Sequence, residues 1–423
     1  MTGLNVVHAR NTEAAPKGFA NASQTVAFSH YNNFSAQLPI DPSTGNLVEG
    51  DIKEQAQQCF NNIEAIVSSI DRTLNDIIRL TIFVTDIKHQ DSVNHIFTSF
   101  FNTYLPARTF VVVDELPMGA QVQVDALLSH GLGTIPEQAQ ADDLIKLVNN
   151  TPNAPVCSFS SQTVAFSHYN NITAQLPLDP KTGRLVVGGV KEETAQCLRN
   201  IKAILESIDV PLDDIVRITI FLTDLADLEA VNEVYTTFFP DSGIARAVNY
   251  LPARTVAAVK ALEYGAKVQI EAVVSHGDGT PPQAIEDRHG LIIEAYNTDQ
   301  APIDPYSTQT VAFSHYNHIS AQLPIDAQSG ELIDGDITAQ TEQCFNHIKA
   351  IVESIDHVMA DVVKVNVILK DLNNISAVEE VFTKFFPENA PGLRFVGSQQ
   401  ILKDADIQID AVVGNTEGTP PIK

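Results

Sequence analysis

The sequence predicts an α+β fold laid down three times in tandem, each copy a mixed sheet with two helices on one face. Three observations carry that reading. The block Gln-Thr-Val-Ala-Phe-Ser-His-Tyr-Asn begins at Gln24, Gln162 and Gln309, and each time it leads to a Ser/Thr-Ala-Gln-Leu-Pro step at residues 35–39, 173–177 and 320–324. The copies are offset by 138 residues (24 to 162) and 147 residues (162 to 309), whereas solenoid repeats run to roughly 20 to 50, so each unit is long enough to bury its own core. Within a unit the order is strands, helix, strand, helix, strands, the pattern of helices segregated to one side of a sheet. The predicted domains are 1–134, 135–281 and 282–423.

Each unit is expected to open with a short apolar strand, around Leu4 to Val7, Ile145 to Val148 and Leu291 to Glu294, followed by a loop containing Ala-Pro. The repeated block reads as a hairpin. Val26 and Phe28 alternate with polar residues, His-Tyr-Asn-Asn at 30–33 supplies the turn, and the Phe34 segment returns. Asp-Pro-x-Thr-Gly at 41–45 and 179–183 marks a second turn. In the helix that follows, Ala56, Cys59, Ile63, Ile66, Val67 and Ile70 recur at spacings of three and four and form one apolar stripe. Leu80 to Val84, Ile218 to Leu222 and Val365 to Leu369 are apolar on both faces, as strands covered on both sides must be. A second helix carries Val93, Ile96, Phe97 and Phe100, and two strands, Arg108 to Val113 and Gln121 to Leu128, close the first unit. The final strands are again apolar on both faces. Three sheets facing one another about a pseudo-threefold axis would cover them, a cyclic trimer made within one chain and expected to be monomeric. The linkers near 133–142 and 279–287 hold Pro, Gln, Ala and acids and read as solvated.

Composition narrows the function classes. A net charge of −26 repels polyphosphate, so nucleic acid is not an expected partner. No run of about 18 apolar residues is present, so no membrane span is expected, and Met1 to Arg10 lacks the basic start and apolar core of a signal peptide, which points to the cytosol. Cys59, Cys197 and Cys344 sit at one equivalent helical position per repeat, and without a Cys-x-x-Cys or partner-histidine spacing they read as reduced core residues. His30, His168 and His315 recur at the hairpin turn, and His130 and His276 follow the last strand. They read as hydrogen-bonding loop residues. With no His-Glu-x-x-His or comparable spacing, neither metal nor other cofactor is expected.

Ser-Ala-Gln-Leu-Pro-Ile-Asp, the helix with Cys-Phe-Asn-Asn-Ile-Glu-Ala-Ile, the Val-Asn-x-Ile-Phe-x-x-Phe-Phe helix and Leu-Pro-Ala-Arg-Thr together resemble the RidA (YjgF/YER057c/UK114) family over nearly the whole of each repeat. The resemblance implies chorismate-mutase-like domains arranged as a trimer, with ligand clefts between adjacent units. It implies hydrolysis of reactive 2-imino or enamine acids to 2-oxo acids and ammonia. Arg108 and Arg254, each preceded by Pro-Ala, match the family's substrate-binding arginine, and Arg394 is taken as their counterpart in the third copy. A guanidinium is a planar, permanently charged fork that can grip a carboxylate through two parallel hydrogen bonds. Ser35, Thr173 and Ser320 match a hydroxyl position on the strand edge, Asn94 and Asn232 an asparagine lining the cleft, and Tyr306 an aromatic loop residue whose place Phe19 and Phe159 take elsewhere.

Two departures bear on the chemistry. Where deaminating members carry a glutamate that positions or activates water, this chain has Gln123, Gln269 and Gln408. An amide can hold a water but cannot take its proton, and a positioned general base is worth roughly 10² to 10⁴-fold. The third copy has Gly392-Leu393-Arg394, Glu379 in place of asparagine, and an interval from Arg394 to Asp410 of 16 positions against 17 from Arg108 to Asp125. A carboxylate at 379 would repel an acidic substrate. The second copy has an insertion near 240–247. The expected partners are small 2-imino or 2-oxo carboxylates. A non-catalytic carboxylate-binding module is the first alternative and an endoribonuclease the second, the latter opposed by the acidic surface.

Overall fold

The structure is a computed structural model that describes residues 7–129, 146–239, 250–275 and 293–415. The two linkers, His130, His276 and the insertion near 240–247 lie outside the described residues. Repeat 1 contains β1 (His8–Arg10), β2 (Thr25–Phe28), β3 (Tyr31–Phe34), α1 (Ile52–Ser69), β4 (Ile77–Val84), α2 (Gln90–Phe100), β5 (Ala107–Val112) and β6 (Val122–Ser129). Repeat 2 contains β7 (Leu147–Asn149), β8 (Thr163–Phe166), β9 (Tyr169–Gln175), α3 (Val190–Ser207), β10 (Ile215–Leu222), α4 (Leu228–Phe238), β11 (Ala253–Ala258) and β12 (Val268–Ser275). Repeat 3 contains β13 (Ile293–Tyr296), β14 (Thr310–Phe313), β15 (Tyr316–Gln322), α5 (Ile337–Ser354), β16 (Val362–Leu369), α6 (Ile375–Phe385), β17 (Gly392–Gly397) and β18 (Ile407–Gly414).

Each repeat folds as a six-stranded sheet, in repeat 1 ordered β1-β2-β3-β6-β4-β5, and only the β4–β5 pair is parallel because α2 carries the chain back between them. The hairpin turn differs from the expectation. Phe28 pairs directly with Tyr31, so Ser29 and His30 alone make the turn and Tyr31 to Phe34 is strand. A two-residue loop suits the right-handed twist of the paired strands.

Asp51 caps α1 through its side chain on Lys53 N–H at 2.7 Å, while Glu54 reaches back to Asp51 N–H at 3.0 Å, a reciprocal capping box. The apolar stripe of α1 lies on the sheet, where Ala56, Cys59, Ile63, Ile66 and Val67 join Leu80, Ile82, Phe97 and Val124 in one buried core. Each repeat has such a core. Cys59, Cys197 and Cys344 are buried free thiols, and burial pushes all three up from their ordinary range.

A further core lies where the repeats meet. Phe28, Tyr31, Ile78, Phe166, Tyr169, Val216, Phe313, Tyr316 and Val363 pack together from all three repeats. The tyrosines close a ring of hydrogen bonds: Tyr31 donates to the Phe166 carbonyl, Tyr169 to that of Phe313, and Tyr316 to that of Phe28. Burial raises the Tyr31 and Tyr316 phenols well above their usual value, so they stay protonated donors. Further along the strands is a buried polar layer in which Arg217 meets Asp410 at 3.0 Å, and Asp125 takes both Lys364 at 2.8 Å and Arg394 at 3.0 Å. The chain is thus an intramolecular pseudo-trimer of three sheets with helices outside. Among the described residues no helix is long and apolar enough to cross a membrane.

Candidate functional site

Each seam between repeats brings together residues from one repeat's parallel pair and the next repeat's hairpin. The same backbone contact recurs in all three. Arg108 N–H donates to Thr173 Oγ1 at 2.9 Å, Arg254 N–H to Ser320 Oγ at 2.9 Å, and Leu393 N–H to Ser35 Oγ at 2.9 Å. Each hydroxyl in turn donates a hydrogen bond to a carbonyl twelve residues earlier in its repeat, at Ser161, Thr308 and Ser23. The three hydroxyl positions therefore stitch the seams.

This pattern corrects the third arginine. In the parallel pairs Leu80 faces Arg108, Ile218 faces Arg254 and Val365 faces Leu393, so Leu393 holds the arginine position and Arg394 the position of Thr109 and Thr255. Arg394 points to the axis, where it pairs with Asp125. The apparent shortening of the last hairpin disappears, since Leu393 to Asp410 is the same interval as Arg108 to Asp125.

In the second seam Arg254 is 6% exposed. Its Nη2 donates to Asn232 Oδ1 at 2.5 Å, while Nε and Nη1 are buried with no hydrogen-bond partner. The guanidinium carbon lies 4.8 Å from the Tyr235 ring centroid and 5.5 Å from that of Tyr306, so aromatic faces hold it from both sides. Burial pushes this guanidinium below its ordinary value, and Tyr235, Asp304 and Tyr306 push back. The group opens on a cavity of about 750 Å³ lined among others by Ser320, Tyr306, Lys403 and Gln408. Gln408 is 2% exposed, and its Nε2 donates across the seam to the Val256 carbonyl at 3.0 Å, which leaves its amide oxygen as an acceptor.

The first seam repeats the frame with different chemistry. Arg108 Nη2 donates to Asn94 Oδ1 at 2.5 Å, and Phe97 and Phe159 flank its guanidinium at 4.9 and 5.6 Å. Here Glu263, held by Gln90, supplies a carboxylate of the protein's own. Burial raises the Glu263 carboxyl while the Arg108 charge pulls it back. Gln269 holds the position of Gln408, and its Oε1 is buried without a partner.

Among the described residues, the third seam is closed by the protein's own groups. Leu393 packs into the repeat-3 core, Phe19 stacks edge-on against Phe395 at 5.6 Å, and Glu379 accepts the Ala20 N–H at 2.6 Å. A Cβ on Gly392 would stand 3.0 Å from the Phe34 carbonyl, so the strand can approach this closely only as glycine. Glu379 lies at the seam but is used to tie down the loop of repeat 1. Gln123 is buried there with Oε1 unpartnered.

Several contributors were not singled out from the sequence. Gln24 Nε2 donates to the carbonyls of Thr12, Ala15 and Pro16, and Gln162 and Gln309 do the same in their repeats, which fastens the loops bearing Phe19, Phe159 and Tyr306. Their place at the head of the repeated block was the available signal. Tyr235 was readable as the counterpart of Phe97, and Leu393 as the residue 15 before Gln408, the interval separating Arg108 from Gln123. Glu263 and Lys403 carry no local signal.

The sequence profile of the family described as Endoribonuclease L-PSP matches residues 12–129, 151–276 and 298–414. A 2-iminobutanoate/2-iminopropanoate deaminase of Mus musculus is 38% identical over 135 residues, 32% of this chain and 94% of that protein. A RutC family protein of Pyrococcus horikoshii is 35% identical over 116 residues, 27% of this chain and 92% of that protein. Among solved structures, RidA from an Antarctic Psychrobacter is 33% identical, covering 31% of this chain and 99% of that one with a TM-score of 0.28.

Proposed function

Since the chain belongs to the Endoribonuclease L-PSP (RidA/YjgF) family three times over, we propose that it hydrolyses small 2-imino or enamine acids to 2-oxo acids and ammonia, chiefly in the seam between repeats 2 and 3. The observation that carries this reading is Arg254, a buried guanidinium whose Nε and Nη1 have no partner and which is among the residues lining a cavity of about 750 Å³. Buried cationic donors without partners call for an anion, and a carboxylate satisfies them. The deaminase name of the murine relative supports the choice of substrate class.

The substrate carboxylate docks on Arg254, which Asn232, Tyr235 and Tyr306 hold in place. A water accepted by the Gln408 amide oxygen attacks the imine carbon as the imine nitrogen gains a proton. The tetrahedral amino-alcohol then expels ammonia and leaves the 2-oxo acid. Water supplies both the oxygen and the protons, so the step balances. An imine is already electrophilic, and orientation in a desolvated seam replaces the missing general base. The first seam works less well because Glu263 competes for Arg108.

A non-catalytic carboxylate-binding role is the second reading, favoured by the amide at Gln408. One experiment separates them. A 2-imino acid is generated with an amino-acid oxidase and its decay followed with and without the protein. Acceleration supports hydrolysis, whereas saturable binding of a 2-oxo acid without acceleration supports the binding role and defeats our proposal.

A further inference from the structure

The hairpin turns deliver three imidazoles to one point on the pseudo-threefold axis, above the tyrosine ring. Ring centroids of His30, His168 and His315 are separated by 5.4, 5.4 and 5.6 Å, and their planes are inclined at 53°, 61° and 66°. One ring nitrogen from each lies within 4.8 Å of the other two. For three imidazoles on a tetrahedral ion at about 2.0–2.1 Å, ring centroids would stand about 5.2 Å apart. The rings are therefore already at ligating separation, while binding an ion requires the nitrogens to draw together from within 4.8 Å. The turns themselves are unusual, since Ser29, Ser167 and Ser314 have φ of 49°, 54° and 50°, where glycine is the residue expected. Every copy keeps Ser-His there.

We propose that His30, His168 and His315 form a binding site for one divalent transition-metal ion per chain, with zinc, nickel, cobalt and copper as the suited ions. Three neutral imidazoles with a fourth position left for water suit such ions, whereas magnesium and calcium want oxygen donors. His30 is buried while His168 and His315 are half-buried, so the site is sheltered yet reachable from the turn side. Phe28 and Phe313 wall it edge-on at 6.5 and 6.4 Å. Because each ligand comes from a different repeat, the ion would clamp the three together at their common axis. The site is separate from the seams and stands whether or not they hydrolyse imines.

The test uses the full chain without a histidine tag, stripped with EDTA and titrated with Co²⁺ and Zn²⁺. We expect one Co²⁺ per chain with visible ligand-field bands, displacement by Zn²⁺, no competition from Mg²⁺, and a Zn²⁺-dependent rise in the unfolding temperature. His168→Gln and His315→Gln should each weaken binding at least tenfold, about the least that loss of even an outer partner costs. Exposed His95→Gln should change nothing. In the unaltered protein, Zn²⁺ should shift the imidazole proton resonances of the three axial histidines together, a readout independent of how the variants fold. The proposal is overturned if no Co²⁺ binds below about 1 mM, a concentration far weaker than structural sites tolerate, if a variant carrying both His168→Gln and His315→Gln retains one ion per chain, or if other histidine resonances shift instead.

Discussion

Replacing Arg254 by alanine should remove most of the hydrolytic activity. In the second seam Nη2 is engaged by Asn232 at 2.5 Å, so the two donors left for a ligand are Nε and Nη1. Hydrogen bonds to charged groups are worth about 1.5–3 kcal/mol each, so losing both costs about 3–6 kcal/mol. At about 1.36 kcal/mol per decade that is roughly 10² to 10⁴-fold in kcat/KM for this seam. Arg254→Lys keeps a point charge but not the planar fork and should fall between alanine and the native residue. The observed rate will settle on a floor set by the first seam, and Arg108→Ala alone should cost far less because the charge of nearby Glu263 already acts on that guanidinium. The assay is decay of oxidase-generated 2-imino acid at several concentrations, with unfolding temperature as the check on folding. Arg254→Ala retaining more than half of native kcat/KM, or Arg108→Ala proving the more damaging change, would refute the reasoning.

Two further outcomes are expected. Gln408→Glu places a carboxylate beside the Val256 carbonyl in a buried seat, which raises its pKa; as the group deprotonates with rising pH it becomes a general base, so kcat should gain up to about 10²-fold and acquire an acid limb absent from the native profile. An unchanged pH profile would show that water activation is not limiting. Asp125→Asn should lower stability by about 3–5 kcal/mol in urea denaturation, because buried Lys364 and half-buried Arg394 would be left without their counter-charge. Burial raises the Asp125 carboxyl but Lys364 and Arg394 outweigh it, leaving it below its ordinary value. Its contribution is therefore present above the unfolded pKa of about 3.9 and lost as pH falls through the lower folded value, and the variant should show a flatter acid limb below about pH 4. Equal acid sensitivity of the two proteins would sink that assignment.

Much of the fold was legible because it rests on local periodicity. The three and four spacing of Ala56, Cys59, Ile63 and Ile66 implies a helix lying on a sheet, and the thrice-repeated block implies three equal domains. The turn placement was misread because Tyr31 and Asn32 have polar, turn-like chemistry, yet in the fold the tyrosine hydroxyl finds a carbonyl in the next repeat and the strand can continue. The third arginine was misplaced for a similar reason. Residue type drew the eye to Arg394, but strand register, in which one position flips a side chain to the opposite face, assigns the seam to Leu393 and sends the arginine to the axis.

By itself the sequence determined the count of domains, their elements, their order and the two arginines that face seams, since each of these follows from spacing along one repeat. Tertiary structure decided which seam is open, which carries its own carboxylate and which is sealed, and it alone brought His30, His168 and His315 within reach of one another. Those outcomes depend on contacts between different repeats, such as those 65 to 358 positions apart that stitch the seams, and spacing within one repeat does not reveal which of them form.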